Sequence, residues 1–296
     1  MRALVASLLL LLPGLAGAAG PREAVIVVSP HPDDESILAA GTLHRLAADR
    51  TLLFRAIYMS GGDRATVPGP CKGIPEARKR RRIVTLRERE TRAAWKVIAP
   101  GRRVSIRFLR GPDQGFVESS SWVDGVRADV FTPVGERLVA RAARIAARLP
   151  RSIERVRLFT AARYDAHGDH RAAYQAARRA GEALRARGLE VRIWSFVIHD
   201  EVAADVPYCC AGDLHWPGDG PTHDRGLLVE TASRPRPPAW PIALDVSDLG
   251  SIRHDAISAH VSQTIGEPRL CMPVYLPFFY VRWGEKMEEP FYEEVL

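Results

Sequence analysis

An apolar run followed by a polar turn stands near the amino terminus, with the sequence AVIVVSPHPDDE over residues 24–35. The apolar part is short, continuous and rich in β-branched residues, which is typical of a strand buried on both faces of a parallel sheet. Residues 34–49 then carry apolar side chains at helical spacing. The stretch therefore predicts the first strand–turn–helix unit of an α/β domain.

The same alternation of strand and helix patterns continues along the chain. Further strands are predicted at residues 52–59, 104–109, 156–161, 191–198 and 242–246, and helices at 84–97, 134–149, 170–186 and 251–263. We predict an α/β fold: a Rossmann-like three-layer sandwich with a mostly parallel sheet, in a single domain over residues 20–296. Two segments, 61–80 and 200–241, are predicted to be long loops that shape a substrate site.

Composition is that of an ordinary globular protein, with 46% hydrophobic and 26% charged residues among 296. The formal net charge of +7 could favour anionic partners. Arginine outnumbers lysine throughout, so we attribute the charge to general composition and expect no nucleic-acid partner. The basic run at residues 78–82 is interpreted as a solvated helix start.

The first residues have the pattern of a cleaved export signal. Met1 and Arg2 precede an apolar stretch over residues 3–12, and small residues follow at 16–19. A membrane anchor is the weaker interpretation, because a spanning helix needs about 20 apolar residues. We predict a signal peptide over residues 1–19, no transmembrane anchor after its cleavage, and a periplasmic or secreted location.

Four cysteines are present, and an exported chain meets conditions in which they can form disulfides. Three connectivities are possible. A vicinal pair such as Cys209 and Cys210 rarely bridges to itself, so we expect Cys71 and Cys271 each to pair with one of these two.

The turn after the first strand carries the strongest chemical signal. Ligands of open parallel sheets bind beyond the carboxyl ends of the strands, and this turn lies there. His31 and Asp34 can chelate one metal ion, while Asp33 stays free to act as a base. The alternative is a purely structural turn in which Asp33 or Asp34 caps a helix.

A second polar cluster, RYDAHGDH over residues 163–170, follows the predicted strand at 156–161. Histidine is scarce in the chain, with nine residues in total, yet two lie within this cluster. One further ligand from this loop would complete a set of two nitrogens and one oxygen, the pattern of an open catalytic zinc site, which Fe²⁺ would also suit. A solvated loop is the alternative. Two such clusters at equivalent strand ends favour the metal site.

Both clusters match the signatures of a known family. HPDDE stands at residues 31–35 and H-x-D-H at 167–170; weaker matches are Arg87-x-x-Glu90, Pro112-Asp113 and AHVSQ at 259–263. On these motifs the chain resembles the LmbE-like, or PIG-L, family of zinc-dependent N-deacetylases. That family includes the glucosaminyl deacetylases of mycothiol, bacillithiol and glycosylphosphatidylinositol synthesis.

The resemblance implies a zinc ion bound by His31, Asp34 and His170, with Asp33 as the general base. Zinc lowers the pKa of a bound water to about 7, and a neighbouring carboxylate can accept the proton that is released. These implied residues agree with the ligand types inferred from the two clusters alone.

The resemblance also implies roles for the residues around the metal. His167 would steady the oxyanion or protonate the leaving amine, with Asp169 orienting it. Arg87 and Asp113 match positions that bind sugar hydroxyls in relatives. His260 is left open between a place in the active-site wall and simple core packing.

The resulting prediction is a metal-dependent hydrolase that removes an N-acetyl or other acyl group from an amino sugar or glycoconjugate. Its expected partner is a small-molecule or glycan substrate, and oligomeric state is left open. The alternatives are an amide hydrolase acting on a non-sugar acylated metabolite and a non-catalytic envelope protein that binds glycans. Asp33 speaks against the second, because binding a metal needs no spare carboxylate. A dinucleotide-dependent oxidoreductase is excluded, since no G-x-G-x-x-G follows the first strand.

Overall fold

The computed structural model describes residues 21–64, 71, 73–123, 126–163, 165, 167–196, 198, 242–272 and 288–296. The predicted signal peptide lies outside these residues, so the division into residues 1–19 and a domain over 20–296 stays a prediction. Among the described residues, no helix is both long enough and apolar enough to cross a bilayer.

The sheet has seven strands in the order β3-β2-β1-β6-β7-β9-β8, and a separate hairpin is formed by β4 and β5. The strands are β1 Glu23–Ser29, β2 Leu52–Ser60, β3 Val104–Gly111, β4 Val117–Val123, β5 Val126–Phe131, β6 Arg155–Ala161, β7 Glu190–Phe196, β8 Ile242–Asp245 and β9 Glu288–Val295. Strands β3, β2, β1, β6 and β7 are parallel, and β9 runs antiparallel to both β7 and β8. The predicted α/β fold with a mostly parallel sheet is confirmed.

Helices follow the parallel strands. They are α1 Asp34–Leu38, α2 Ala40–Ala47, α3 Glu76–Ile98, α4 Pro133–Ala146, α5 Gly168–Arg185, α6 Gly250–Ser258 and α7 Val261–Thr264. The predicted helix at 34–49 is divided at Ala39, whose backbone leaves the helical region. The predicted helix at 251–263 is likewise divided into α6 and α7.

Helix α3 begins at Glu76, earlier than the predicted start near Val84. Pro75 precedes it, and the run at 78–82 lies in the first two turns of the helix, where Arg78, Arg81 and Arg82 are exposed, so the interpretation as a solvated helix start is confirmed. Arginine is a good helix former, but a continuous basic run carries no apolar periodicity from which a helix start could be read. Lys79 in that run is fully buried and pairs with Glu76 at 2.8 Å.

The parallel sheet separates two hydrophobic cores, which makes the three layers. Alternate side chains of β1, such as Val25 and Val27, pack with α2, α3 and α6, while Ile26 and Val28 pack with α4 and α5. Every residue of β1 is buried, which explains its unbroken apolar sequence. Because β1 lies between β2 and β6, the chain changes direction across the sheet at the β1/β6 pair, where ligands bind in such folds.

The β4–β5 hairpin was not predicted from the sequence, and a buried ion pair attaches it to α5. The guanidinium of Arg171 contacts both carboxylate oxygens of Asp129 at 2.8 Å and donates to Ser120 at 2.8 Å. It also donates to the backbone carbonyl of Asp165 at 2.8 Å. This one side chain therefore links the hairpin to the loop after β6.

Replacing Arg171 by alanine should lower the free energy of unfolding by about 3–5 kcal/mol, because it leaves the Asp129 carboxylate buried without its cation. Urea unfolding measures the loss. Arg179→Ala is a matched control on the same helix: Arg179 pairs with Glu136 at the exposed surface and should contribute about 0–1 kcal/mol. Equal losses in the two variants would contradict this account of the hairpin.

A disulfide joins Cys71 to Cys271. The expected pairing of each with Cys209 or Cys210 is therefore wrong, and those two residues lie outside the described part of the chain. The bonded cysteines meet because Leu270 and Met272 pack against Ile83 of α3. The bond joins residues 200 positions apart in sequence, and no local pattern predicts it.

Replacing both Cys71 and Cys271 by serine should lower the free energy of unfolding by about 2–5 kcal/mol, because the unfolded chain regains the freedom that the bond removes. Urea unfolding of the variant and the oxidised parent measures this. Peptide mapping under non-reducing conditions should recover a linked peptide containing both residues. A peptide linking either cysteine to Cys209 or Cys210 would contradict the observed pairing.

Candidate active site

The two polar clusters of the sequence meet at the carboxyl ends of β1 and β6. His31, Asp33 and Asp34 follow β1, and His167 and His170 lie at the start of α5, which follows β6. Loops after β2 and β3 complete the surroundings. The sheet therefore brings together residues about 140 positions apart, as the pattern of two clusters predicted.

His31, Asp34 and His170 form a tight buried group. His31 Nδ1 lies 3.1 Å from His170 Nε2 and 3.5 Å from Asp34 Oδ2, and His170 Nε2 lies 3.7 Å from Asp34 Oδ1. The Asp34 carboxylate also accepts from the His31 backbone N–H at 2.8 Å and from Ser29 Oγ at 3.2 Å. The two ring nitrogens and the Asp34 carboxylate thus lie within 3.7 Å of one another.

Carboxylates lie beside the outer nitrogens of the two imidazoles. His170 Nδ1 lies 3.0 Å from Asp165 Oδ2, an oxygen that also accepts from the Ile198 backbone N–H at 2.8 Å. His31 Nε2 lies 3.1 Å from Asp113 Oδ1. A neutral imidazole carries one proton, and a carboxylate holds it on the nearer nitrogen. The two inner nitrogens lie 3.1 Å apart, which is close enough for them to share a proton or to bind one cation together.

The charges of this group shift the pKa values of its members. Burial would raise the pKa of Asp34, but His170 and His31 outweigh it and hold that pKa well below its usual range. Burial lowers the pKa of His170, yet Asp165 and Asp34 raise it above the ordinary value. The Asp34 carboxyl group thus favours its negatively charged form, and the His170 ring favours its positively charged form.

His167 stands beside the same group and offers a second possible set of ligands. Its ring centroid lies 4.9 Å from that of His31 and 5.0 Å from that of His170, and the ligand atoms of the three histidines lie within 4.8 Å of one another. However, His167 Nδ1 accepts the Asp169 backbone N–H at 3.2 Å. A neutral ring in this state carries its proton on Nε2, which suits a hydrogen-bond donor better than a ligand.

Asp169, which the resemblance assigns to orienting His167, contacts it through this backbone N–H. Its carboxylate accepts the backbone N–H groups of Gln114 at 2.7 Å and Phe116 at 3.4 Å. Asp169 Oδ2 also lies 3.6 Å from His31 Nε2. The carboxylate thereby attaches the loop after β3 to the start of α5.

Asp33 lies beside the proposed ligands, and its carboxylate is paired with Arg87 of α3. The distance from Asp33 Oδ2 to Arg87 Nη2 is 2.8 Å, and both side chains are buried. Burial raises the pKa of Asp33 above its ordinary value, against the opposing effect of the Arg87 guanidinium. A raised pKa suits a carboxylate that accepts a proton near neutral pH.

The two residues assigned to sugar hydroxyls lie in less exposed places than that role suggests. Arg87 is directed at Asp33, and Asp113, 6% exposed, is directed at His31 while accepting the Arg64 backbone N–H at 3.0 Å. His260, whose role was left open, is fully buried, with Nε2 at 3.1 Å from Ser36 Oγ. Burial lowers the pKa of His260 to about 3, so the ring is neutral.

Sequence reasoning assigned no role to Asp165, although it lies in the quoted cluster. Its Oδ1 accepts the His167 backbone N–H at 2.9 Å and its Oδ2 contacts His170. A carboxylate five residues before a candidate histidine ligand was the available signal. The sequence could not show which of Asp165 and Asp169 contacts His170, because that depends on the path of the loop.

Several solved structures resemble this chain over most of its length. The deacetylase of the teicoplanin biosynthesis pathway is 16% identical over 93% of this chain and 98% of its own, with a TM-score of 0.50. N,N'-diacetylchitobiose deacetylase from Pyrococcus horikoshii is 15% identical over 92% and 84%, with a TM-score of 0.48. The 4-carboxy-2-hydroxymuconate hydratase of Pseudomonas putida is 15% identical over 93% and 96%, also with 0.48. At these identities the likeness concerns the fold alone.

Family comparison is more specific. No curated protein matches the chain significantly. The profile of the PIG-L family, described as GlcNAc-PI de-N-acetylase, matches residues 26–181. This match covers more than half of the chain and includes both clusters of candidate site residues. The chain therefore belongs to the PIG-L family of hydrolytic N-deacetylases.

Proposed function

We propose that this enzyme uses a zinc ion to remove an acetyl group from the amide nitrogen of an amino sugar or glycoconjugate. The observation that carries the proposal is the 3.1 Å contact between His31 Nδ1 and His170 Nε2. Asp113 and Asp165 lie 3.1 Å and 3.0 Å from the other two ring nitrogens, and Asp34 lies within 3.7 Å of both facing atoms. Two buried ring nitrogens beside a carboxylate form a site for a cation, which their lone pairs would bind when both rings are neutral.

The donor set fits zinc. Two imidazole nitrogens and the Asp34 carboxylate match a catalytic zinc site with three protein ligands. Fe²⁺ accepts the same donors, so metal analysis decides the ion. Zinc, when bound, polarises a carbonyl oxygen and lowers the pKa of a water ligand to about 7. The side chains around the ion would accept and donate the protons of the reaction.

Asp33 is placed to act as the general base. Its carboxylate lies next to the proposed ligands in the chain but is held by Arg87, outside the contacts between His31, Asp34 and His170. It would accept a proton from the attacking water and return it to the departing nitrogen. His167, with its proton on Nε2, would donate a hydrogen bond to the carbonyl oxygen as negative charge develops there.

The amide of N-acetylglucosamine is the substrate group that the family description supports. Two of the solved proteins are named as a deacetylase of N,N'-diacetylchitobiose and a deacetylase of the teicoplanin biosynthesis pathway, but the likeness does not assign their substrates to this chain. We infer that the substrate is an amino sugar that carries an acyl amide. Experiment identifies the group attached to that sugar.

We also propose that the enzyme acts outside the cytoplasm, after removal of residues 1–19. The pattern of the first residues supports this, as does the disulfide between Cys71 and Cys271, because such bonds persist in oxidising compartments. Amino-terminal sequencing of the protein from periplasmic and medium fractions of its host tests the proposal. An intact Met1 in a purely cytoplasmic fraction would contradict it.

An amine-release assay combined with metal analysis tests the activity. The panel contains N-acetylglucosamine, N,N'-diacetylchitobiose, N-acetylglucosaminyl phosphatidylinositol and, as a non-sugar amide, an N-acetyl amino acid. We expect one bound zinc per chain and amine release from at least one sugar, abolished by a chelator and restored by zinc. Release from the amino acid alone, or no release by zinc-loaded protein from any sugar, would contradict the proposed function.

A further inference from the structure

The loops after β2 and β3 are joined at the edge of the candidate active site. The Arg64 backbone N–H donates to Asp113 Oδ2 at 3.0 Å, and the Asp113 backbone N–H donates to Asp63 Oδ1 at 3.3 Å. The other oxygen of Asp113 lies 3.1 Å from His31 Nε2. One carboxylate therefore lies between the backbone of Arg64 and a proposed zinc ligand, and the two loops hold Arg64 beside the site.

The group of proposed zinc ligands opens to solvent next to the loop after β3. His31 and His170 are buried, whereas His167 is partly exposed. The Gln114 backbone N–H donates to Asp169 Oδ2 at 2.7 Å, which places Gln114 at the start of α5, beside His167. A substrate that reaches the ligands past His167 would therefore lie next to this loop.

Gln114 has an unusual backbone conformation for a residue with a side chain. Its φ is +54°, in the left-handed region that glycine adopts most easily. Residues in such conformations cluster at functional sites. The side chain is exposed, and its Oε1 accepts a hydrogen bond from Arg64 Nη1 at 3.4 Å. What Gln114 supplies, and a glycine would not, is an amide that orients the Arg64 guanidinium.

No carboxylate among the described residues neutralises the charge of Arg64. The guanidinium is exposed and donates to the Gln114 amide oxygen. The two acids of these loops are directed elsewhere: Asp63 Oδ2 lies 3.4 Å from Arg80 Nη1, and Asp113 accepts from the Arg64 backbone. A guanidinium has five N–H donors in a planar fork that matches phosphate and carboxylate groups. Arg64 therefore has donors to offer to an anion.

We propose that Arg64, oriented by Gln114, binds an anionic group that the substrate carries next to its acylated sugar. This inference rests on the proposed function and narrows the substrate class to an N-acylated amino sugar with a phosphate or carboxylate substituent. Arg64 contributes to substrate binding and takes no part in the proton transfers. A hydrogen bond between charged groups can favour the anionic substrate by about tenfold.

Steady-state kinetics on matched neutral and anionic sugars test the proposal. The panel contains N-acetylglucosamine, its phosphate esters at the anomeric and at the primary hydroxyl, and N-acetylmuramic acid, which adds a carboxylate to the same sugar. For at least one anionic sugar we expect a kcat/KM about tenfold above that of N-acetylglucosamine, chiefly through a lower KM. The preferred sugar identifies the group as phosphate or carboxylate. Equal kcat/KM for all four sugars would overturn the proposal.

Variants of Arg64 show whether this residue causes the preference. Arg64→Gln should abolish the preference while kcat/KM for N-acetylglucosamine stays within about twofold of the parent, and Arg64→Lys, which keeps the charge, should retain part of it. Arg141→Gln is the matched control, because Arg141 is exposed on α4, and it should keep the full preference. An unchanged preference in Arg64→Gln, or an equal loss in Arg141→Gln, would overturn the proposal.

Gln114→Gly tests the orienting amide without altering Arg64. Glycine accepts the left-handed backbone, so the N–H contact with Asp169 should survive while the side chain is lost. The preference for the anionic sugar should fall, but less than in Arg64→Gln, because the guanidinium is still present. The full preference in a folded Gln114→Gly variant would overturn the role of Gln114.

Isothermal titration gives a readout that needs no turnover. The deacetylated forms of the preferred anionic sugar and of N-acetylglucosamine are titrated into zinc-loaded parent and zinc-loaded Arg64→Gln. Both proteins hold the same ion, so a difference between them does not come from phosphate binding to zinc. We expect the anionic sugar to bind the parent about tenfold more tightly than the neutral one, and the variant to lose this difference.

The same titration separates failure of this inference from failure of the proposed function. If the parent released no amine from any sugar, the proposed function would fail, and the acetylated sugars themselves could then be titrated. Tighter binding of an anionic sugar to the parent than to Arg64→Gln would still support the anion site. Equal binding by the two proteins, or no binding of any sugar, would overturn it.

Discussion

Replacing His170 by alanine is expected to leave the protein without stoichiometric zinc and to lower amine release by on the order of 10³-fold or more, since the ion that activates water is lost. His170 Nε2 lies within 3.7 Å of both other proposed ligand residues, and the side chain is completely buried. Removing it leaves only two protein ligands, too few for a catalytic zinc site. Metal analysis after gel filtration measures the zinc.

His254→Ala is the control for loss of a histidine, because His254 is exposed and pairs with Asp255. It should keep one zinc per chain and full activity. His167→Ala separates the two possible sets of ligands: we expect zinc to stay bound while kcat falls by about 10²–10³-fold, the usual effect of losing an oxyanion donor. Stoichiometric zinc in His170→Ala, or its loss in His167→Ala, would exclude the set His31, Asp34 and His170.

The second large effect is expected for Asp33→Asn, which should keep zinc but lose about 10²–10⁴-fold in kcat. The amide matches the carboxylate in size but cannot accept the proton of the attacking water. Asp34, one residue on, contacts both imidazoles, so the metal group should survive the change. Zinc content and kcat are measured on the same preparation.

Asp255→Asn removes an exposed carboxylate and should leave both quantities unchanged. Asp34→Asn gives a comparison at the next position in the chain, because this change should weaken zinc binding and lower activity together. Unchanged turnover in Asp33→Asn would remove this residue from the mechanism. Loss of zinc in the same variant would instead place Asp33 among the ligands.

The fold could be predicted because its signals are local. A strand buried on both faces needs a continuous apolar run, and β1 shows one. The meeting of the two clusters of candidate site residues could be predicted for a related reason: in a parallel sheet, residues that directly follow strands meet at one edge. Neither inference required knowledge of which distant segments pack together.

What could not be predicted depends on tertiary contacts. The β4 strand, VESSSWV, is too polar to show a half-buried pattern, and its hairpin is held by Arg171, which lies 42 positions from Asp129. The disulfide depends on the packing of the segment around Leu270 against α3. The contacts of Arg87 with Asp33 and of Asp113 with His31 likewise join separate loops, so the sequence alone could suggest only the roles known for relatives.

The two facing histidines have carboxylate neighbours from different places: Asp113, after β3, lies beside His31, and Asp165, after β6, lies beside His170. Anyone wishing to transplant this centre into another scaffold would therefore gain little from copying the two histidine motifs. The graft would have to carry the flanking acidic loops as well, at their native spacing across the sheet. The part to transplant is therefore the carboxyl edge of four neighbouring strands, β3, β2, β1 and β6, together with the loops that follow them.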